Sequence, residues 1–228
     1  MTIGLVYAMP GEIETLLTDE TRTPIRTEAG VSFYQIRPHI IACCCGVSKV
    51  NAAMGAQLLI SLYHPDLVLN AGVAGCFENV PIGTIVLAEG FVQHDVDTTA
   101  VGDPIGLVST VNQVAFPTWQ PERCAELLAS LGYPAVTGRV STGDWFAVKG
   151  QRAEWIRGTF SPLLTEMEGG AIAQISVPSI SRKINFRFMD FPQFRFVMSD
   201  FMPAARPPPR YVCPFFRTMS SPAFYPLS

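Results

Sequence analysis

Charge is scarce in this chain: 15% of its 228 residues are charged, and the net charge is -3. A nucleic-acid binder needs a basic face, and this composition does not supply one. Histidine is scarcer still. His39, His64 and His94 show no ligand spacing with the six cysteines, so no metal centre is predicted. His94-Asp95-x-Asp97 is the nearest approach to one and reads better as a loop network. No apolar run is long enough to span a bilayer. The N-terminus passes directly into Ile3-Gly4-Leu5-Val6-Tyr7-Ala8, which reads as a short buried strand rather than a signal peptide. Hydrophobic residues, by contrast, make up 48%, enough for one globular domain with a sizeable core.

Cys43, Cys44 and Cys45 are consecutive in a strand-like run. Neighbours on a strand point to opposite faces, so the trio cannot make a ladder of disulfides. Buried reduced thiols in a cytoplasmic protein are expected.

Short apolar strands alternate with helical patterns. Strands are predicted at 3–7, 40–45, 67–70 and 85–88, and another runs through Val140 into Gly143-Asp144. Helices are predicted from Gly11 to Leu17, from Lys49 to Tyr63 and from Glu122 to Leu131. In the second, Val50, Met54, Leu58 and Leu62 recur at helical spacing. Gly72 and Gly75 read as a turn after the third strand. The alternation predicts an α/β domain with a largely parallel sheet, which binds ligands at the carboxyl ends of its strands. The loops at those ends are 9–12, 46–48, 71–76, 143–147 and 166–168.

The last of these carries the densest signal, Glu166-Met167-Glu168-Gly169-Gly170-Ala171-Ile172-Ala173-Gln174. Two carboxylates flank a thioether and lead into a small-residue apolar helix. A carboxylate at the mouth of a buried helix is costly unless it binds something. Glu168 can accept two hydroxyl hydrogen bonds at once, as from a ribose. It can equally serve as a helix N-terminal acid that favours the macrodipole.

Beyond residue 175 the composition changes. Residues 176–228 contain no glycine and no glutamate, but nine prolines, nine phenylalanines and six arginines. Pro207-Pro208-Pro209 cannot sit inside a helix or a central strand. Either the tail is unusual or the reading frame slips. The helical pattern that starts at Glu168 collapses near Ile175, and a loosely packed tail is expected.

The motifs in residues 1–175 resemble one family in order and spacing, the 5'-methylthioadenosine/S-adenosylhomocysteine nucleosidases. The segments that carry the resemblance are Gly4-Leu5-Val6-Tyr7-Ala8-Met9-Pro10-Gly11-Glu12, Gly46-Val47-Ser48-Lys49-Val50-Asn51-Ala52-Ala53, Pro65-Asp66-Leu67-Val68-Leu69-Asn70-Ala71-Gly72-Val73-Ala74-Gly75, His94-Asp95-Val96-Asp97, Ser141-Thr142-Gly143-Asp144-Trp145-Phe146 and Glu166-Met167-Glu168. It implies a three-layer αβα sandwich, nucleoside-phosphorylase-like, with a mixed central sheet, and a homodimer without cofactor. Residues 1–175 would form that domain, and the Pro/Phe/Arg-rich tail would replace its final strand and helix.

The implied reaction is hydrolysis of an N-glycosidic bond, releasing adenine and a 5-thioribose. By resemblance Glu12 activates water, Glu168 holds the ribose hydroxyls and Met167 packs on the sugar. Gly75, Phe146 and Ala147 complete the substrate site. The family's acid, which protonates adenine N7, is an aspartate in a Ser-Asp pair. Asp200, preceded by Ser199, has the right neighbour but lies 32 residues after Glu168; Asp190, at 22, is closer to the family spacing. Asp200 is preferred.

The codons of Phe188 to Phe196, read from the third base of Phe188, give a string such as Tyr-Gly-Phe-Pro-x-Val-Ser-x-Arg. It resembles the family strand that precedes the pair. A frameshifted tail with a brief return to frame is therefore expected.

Three rivals stand beside this reading. A phosphorylase needs cationic groups for phosphate, and the first 120 residues offer only Arg22, Arg26 and Arg37, none in a strand-end loop. A hydrolase of another nucleoside, such as futalosine, would share these loops. An inactive product of a frameshifted gene is the third.

Overall fold

The computed structural model describes residues 1–179, 185–186 and 211–218, with side chains through Ser176. In chain order the strands are β1 (Ile3–Tyr7), β2 (Arg26–Glu28), β3 (Val31–Arg37), β4 (Ile40–Cys44), β5 (Leu67–Cys76), β6 (Ile85–Gln93), β7 (Ala115–Pro117), β8 (Ala135–Thr142), β9 (Leu164–Glu166), β10 (Asn185–Phe186) and β11 (Tyr211–Thr218). The helices are α1 (Lys49–Tyr63), α2 (Pro121–Ser130), α3 (Gln151–Phe160) and α4 (Gly169–Ser179).

The strands form one mixed sheet. β1 lies between β4 and β5, parallel to both, and β8 lies parallel to β6. β9 joins β8 in parallel to β5 in antiparallel. β11 runs parallel to β5 and antiparallel to β6, so β5, β9, β8, β6 and β11 close on themselves. β1 is buried throughout, as a strand covered on both faces must be. Its side chains alternate between two cores. Ile3, Leu5 and Tyr7 pack with Leu69, Leu87 and, from α2, Cys124 and Leu128. Val6 packs with Phe33, Cys43 and Val68, with Ala52, Ala56 and Leu59 of α1, and with Ile172 of α4. A helix layer on each face of a mixed sheet is the expected three-layer αβα sandwich.

Several local expectations are corrected. Residues 11–17 do not form an α-helix; two single 3-10 turns, Pro10–Glu12 and Glu14–Leu16, stand there. The cause is Glu12, whose side chain turns back onto the amides of Ala8 and Met9 and fixes a tight bend. Gly72 and Gly75 are not a turn but lie within β5, which runs six residues further than predicted. α1 has the predicted bounds, but Val50 and Met54 are exposed. Its buried face is Ala52, Gly55, Ala56, Leu59 and Ile60. A Cβ on Gly55 would lie 2.5 Å from Cys45 Cβ, so close approach, not bulk, selects this face. The helical pattern thought to collapse at Ile175 continues in α4 to Ser179.

In the tail, Tyr211–Thr218 is a strand where no closing strand was expected. Tyr, Val, Phe and Thr are strand formers, and the segment pairs with β5 in parallel and with β6 in antiparallel. Asp190, Asp200 and the remainder of the expected loose tail lie outside the described residues. No described helix is long and apolar enough to cross a membrane.

Candidate active site

Glu12 follows β1 and is 7% exposed. Its Oε2 accepts hydrogen bonds from the backbone N–H of Ala8 at 2.8 Å and of Met9 at 3.0 Å. Its Oε1 accepts from the N–H of Val73, in β5, at 3.2 Å. Three backbone amides thus converge on the one carboxyl group. Glu12 is therefore fixed between the end of β1 and the middle of β5, both of its oxygens accepting backbone hydrogen bonds.

The window after β9 separates its two acids. Glu166 is buried, and its Oε2 accepts from the N–H groups of Glu168 and Gly169, both at 2.6 Å. Thr142 donates its hydroxyl to Glu166 Oε1 and accepts the N–H of Gly170 at 2.8 Å. Glu166 is thus the helix N-terminal acid, satisfying the first amides of α4. Side chains at Gly169 or Gly170 would collide with Phe91 or Thr142, so the glycine pair lets α4 start against the sheet.

Glu168 points elsewhere. Its Oε1 accepts the N–H of Ser48 at 2.7 Å, across 120 residues of sequence. Ser48 holds φ at 91°, a left-handed region a non-glycine residue enters at a cost. Cys45 sits in the electrostatic field of both glutamates. Burial first, then Cys43, Glu168, Cys44 and Glu12, push its thiol well above the usual range. The five cysteines with described side chains are all free, and Cys44 alone of them is half-buried.

The remaining expected residues are placed as follows. Gly75 lies in β5, paired with Thr165 of β9, one residue from Glu166. Met167 is half-buried between the two acids. Phe146 is 49% exposed and Ala147 half-buried, in the loop between β8 and α3. The structure brings Glu12 to Val73, two residues before Gly75 in β5, and Glu168 to the Ser48 loop. Asp190 and Asp200 lie outside the described residues.

The loop network expected at His94-Asp95-x-Asp97 extends behind Ser48 to Lys49 and Asp144, which the sequence reading missed. Lys49 Nζ donates to Asp95 Oδ1 at 2.6 Å and to Gln93 Oε1 at 3.2 Å. The Lys49 N–H donates to Asp144 Oδ1, and the Asp144 N–H to Asp95 Oδ2, both at 2.8 Å. Asp97 accepts from the Thr99 N–H and hydroxyl. The His94-Asp95-x-Asp97 motif is therefore a loop network. Its signal was the Ser48-Lys49 pair opening α1, legible only with the partner loops in view. His94 is 1% exposed, against the edge of Trp145. Burial, with Arg152 and Lys49 nearby and Asp95 opposing them, lowers its imidazole from 6.5 to about 4.

Comparison with known proteins identifies the family of the chain. A family model described as the phosphorylase superfamily matches residues 2–177. A 5'-methylthioadenosine/S-adenosylhomocysteine nucleosidase of Shewanella loihica is 36% identical over 182 residues, covering 77% of this chain and 79% of that one. Its counterpart in Geobacillus kaustophilus is 42% identical over 136 residues, covering 58% of each. The crystal structure of the Colwellia psychrerythraea nucleosidase in complex with adenine superposes with a TM-score of 0.69 at 33% identity, covering 78% of this chain and 77% of that one. The chain belongs to the 5'-methylthioadenosine/S-adenosylhomocysteine nucleosidases of the phosphorylase superfamily.

Proposed function

We propose that this chain hydrolyses the N-glycosidic bond of 5'-methylthioadenosine and S-adenosylhomocysteine, releasing adenine and a 5-thioribose. The observation that carries the reading is the pair of glutamates: Glu12 bound to the amides of Ala8, Met9 and Val73, and Glu168 bound to that of Ser48. Bond cleavage leaves positive charge on the sugar, as in other glycoside hydrolyses. Glu12 takes a proton from the attacking water, whose oxygen bonds to the sugar C1' as the C1'–N9 bond breaks. Glu168 accepts the ribose hydroxyls, with Met167 against the sugar. Gly75, Phe146 and Ala147 contact the substrate, and Asp200 delivers the proton to adenine N7, so that the base leaves neutral.

Water rather than phosphate suits this site. Arg22 and Arg26 pair with acids on exposed surface, and Arg37 donates to the Ile36 carbonyl. Lys49 is committed to Asp95. Glu12 at the nucleophile's position repels an anion.

Residues 1–175 form the nucleoside-phosphorylase-like domain in this proposal, and 176–228, which still supply Asp200, replace the family's final strand and helix; a family match that ends at residue 177 supports the boundary. The enzyme works as a homodimer in the cytoplasm; the exposed Val50 and Met54, one helical turn apart on α1, and the free cysteines support this. Glu12→Gln tests the reading. Methylthioadenosine turnover should fall by about 10²–10⁴ with adenine still bound. Undiminished turnover would remove Glu12 from the chemistry.

A further inference from the structure

We propose that Asp95 is a positioning residue for the ribose-binding Glu168, acting through the Lys49–Ser48 turn; this rests on the nucleosidase reading above. Asp95 touches neither glutamate. It follows β6, and it ties together two loops that the chain order separates. One oxygen takes the Lys49 ammonium at 2.6 Å, and the other takes the backbone N–H of Asp144 at 2.8 Å. Asp144 returns the tie by accepting the Lys49 N–H at 2.8 Å. The closed circuit Asp95–Lys49–Asp144 thus fixes both ends of one residue, Lys49, by its backbone and by its side chain.

The neighbour of that residue is Ser48, whose N–H is the donor to Glu168. Ser48 has no glycine's freedom, yet it holds φ at 91° to aim this N–H. A strained backbone persists where its surroundings over-determine it, and the circuit next door supplies that constraint. The Lys49 and Asp95 side chains are only 17% and 19% exposed, so solvent screens their attraction less than that of a surface pair. Burial alone would raise the Asp95 carboxyl, but the Lys49 ammonium and the Asp144 amide hold it below the usual carboxylate range. It stays charged wherever the enzyme is folded near neutrality. The same circuit anchors Asp144, two residues before Phe146, so one carboxylate sets the spacing between the Glu168 side of the site and the Phe146 loop.

The test is Asp95→Asn, which keeps the shape and removes the charge, with Lys49→Met as a second break in the same circuit. Affinities for methylthioadenosine and its 2'-deoxy analogue are measured by calorimetry in each protein, with Glu12→Gln added throughout so that neither nucleoside is cleaved. With the circuit intact, loss of a hydroxyl held by Glu168 weakens binding. In both variants that penalty should shrink by about tenfold, because residues sharing one network couple non-additively. Amide hydrogen exchange at Ser48 and Asp144 should accelerate by at least about tenfold in Asp95→Asn. A variant that weakens both nucleosides equally, with the penalty unchanged, overturns the proposal, as does unaltered exchange at Ser48. Exchange requires no substrate. A wild-type protein that binds neither nucleoside would instead overturn the nucleosidase reading, with exchange still deciding whether Asp95 anchors the turn.

Discussion

Glu166 and Glu168 sit two positions apart and do different work. Glu166 spends its oxygens on Thr142 and on the amides that open α4, while Glu168 reaches the Ser48 loop. Sequence marked the window but could not divide the roles, because the division depends on Thr142 and Ser48, both distant in the chain. Glu168→Gln keeps the shape and weakens charge-assisted bonds worth about 1.5–3 kcal/mol each. Turnover of methylthioadenosine should drop by about a hundredfold or more, with an unchanged circular dichroism spectrum; wild-type turnover would leave Glu168 a structural residue. His94 makes a separate prediction. Its folded pKa of about 4 lies below the unfolded value near 6.5, so between these values only the unfolded chain is protonated. Stability should therefore be full above pH 6.5 and fall by about 3 kcal/mol as pH drops to 4. Urea titrations across that range, with NMR of the imidazole, check it; a His94 titrating near 6.5 would contradict the effect of its burial.

At the scale of elements, β1 and α1 were legible because local pattern and tertiary role agree. β1 is apolar on both faces, and α1 ends at His64, in the left-handed region, just before Pro65. The failures share a cause. Gly72 and Gly75 suggest a turn by composition, but β5 needs them inside a strand that meets β1, β9 and β11. The spacing of Val50, Met54, Leu58 and Leu62 marked α1 as a helix but not its buried face, which is made largely of small residues: Ala52, Gly55 and Ala56 with Leu59 and Ile60. Gly55→Ala tests this second point. Better helix propensity adds about 1 kcal/mol, but overpacking against Cys45 costs about 1–3 kcal/mol, and Cβ-to-Cβ crowding leaves no flexible end to yield. The expected outcome is a lower urea midpoint and reduced turnover, since Cys45 leads into the Ser48 loop. A stabilised variant would mean that α1 stands further from the sheet.

Across the whole molecule, the sheet gathers residues from 12 to 168 around the ends of β1, β4 and β5, which is why six short motifs in order were enough to name the architecture. The tail resisted the same reading. Its prolines argued against any strand, yet β11 enters the sheet between β5 and β6 with Pro214 in its middle, forfeiting one backbone donor there. The central claim is that the molecule activates water and not phosphate. Its most direct test is to follow methylthioadenosine in phosphate-free buffer, then with phosphate added, and to identify the sugar product by mass. Equal amounts of adenine and free 5-methylthioribose, formed at a rate that phosphate does not change, are predicted. Release that begins only when phosphate is added, with a sugar 1-phosphate as product, would contradict the account.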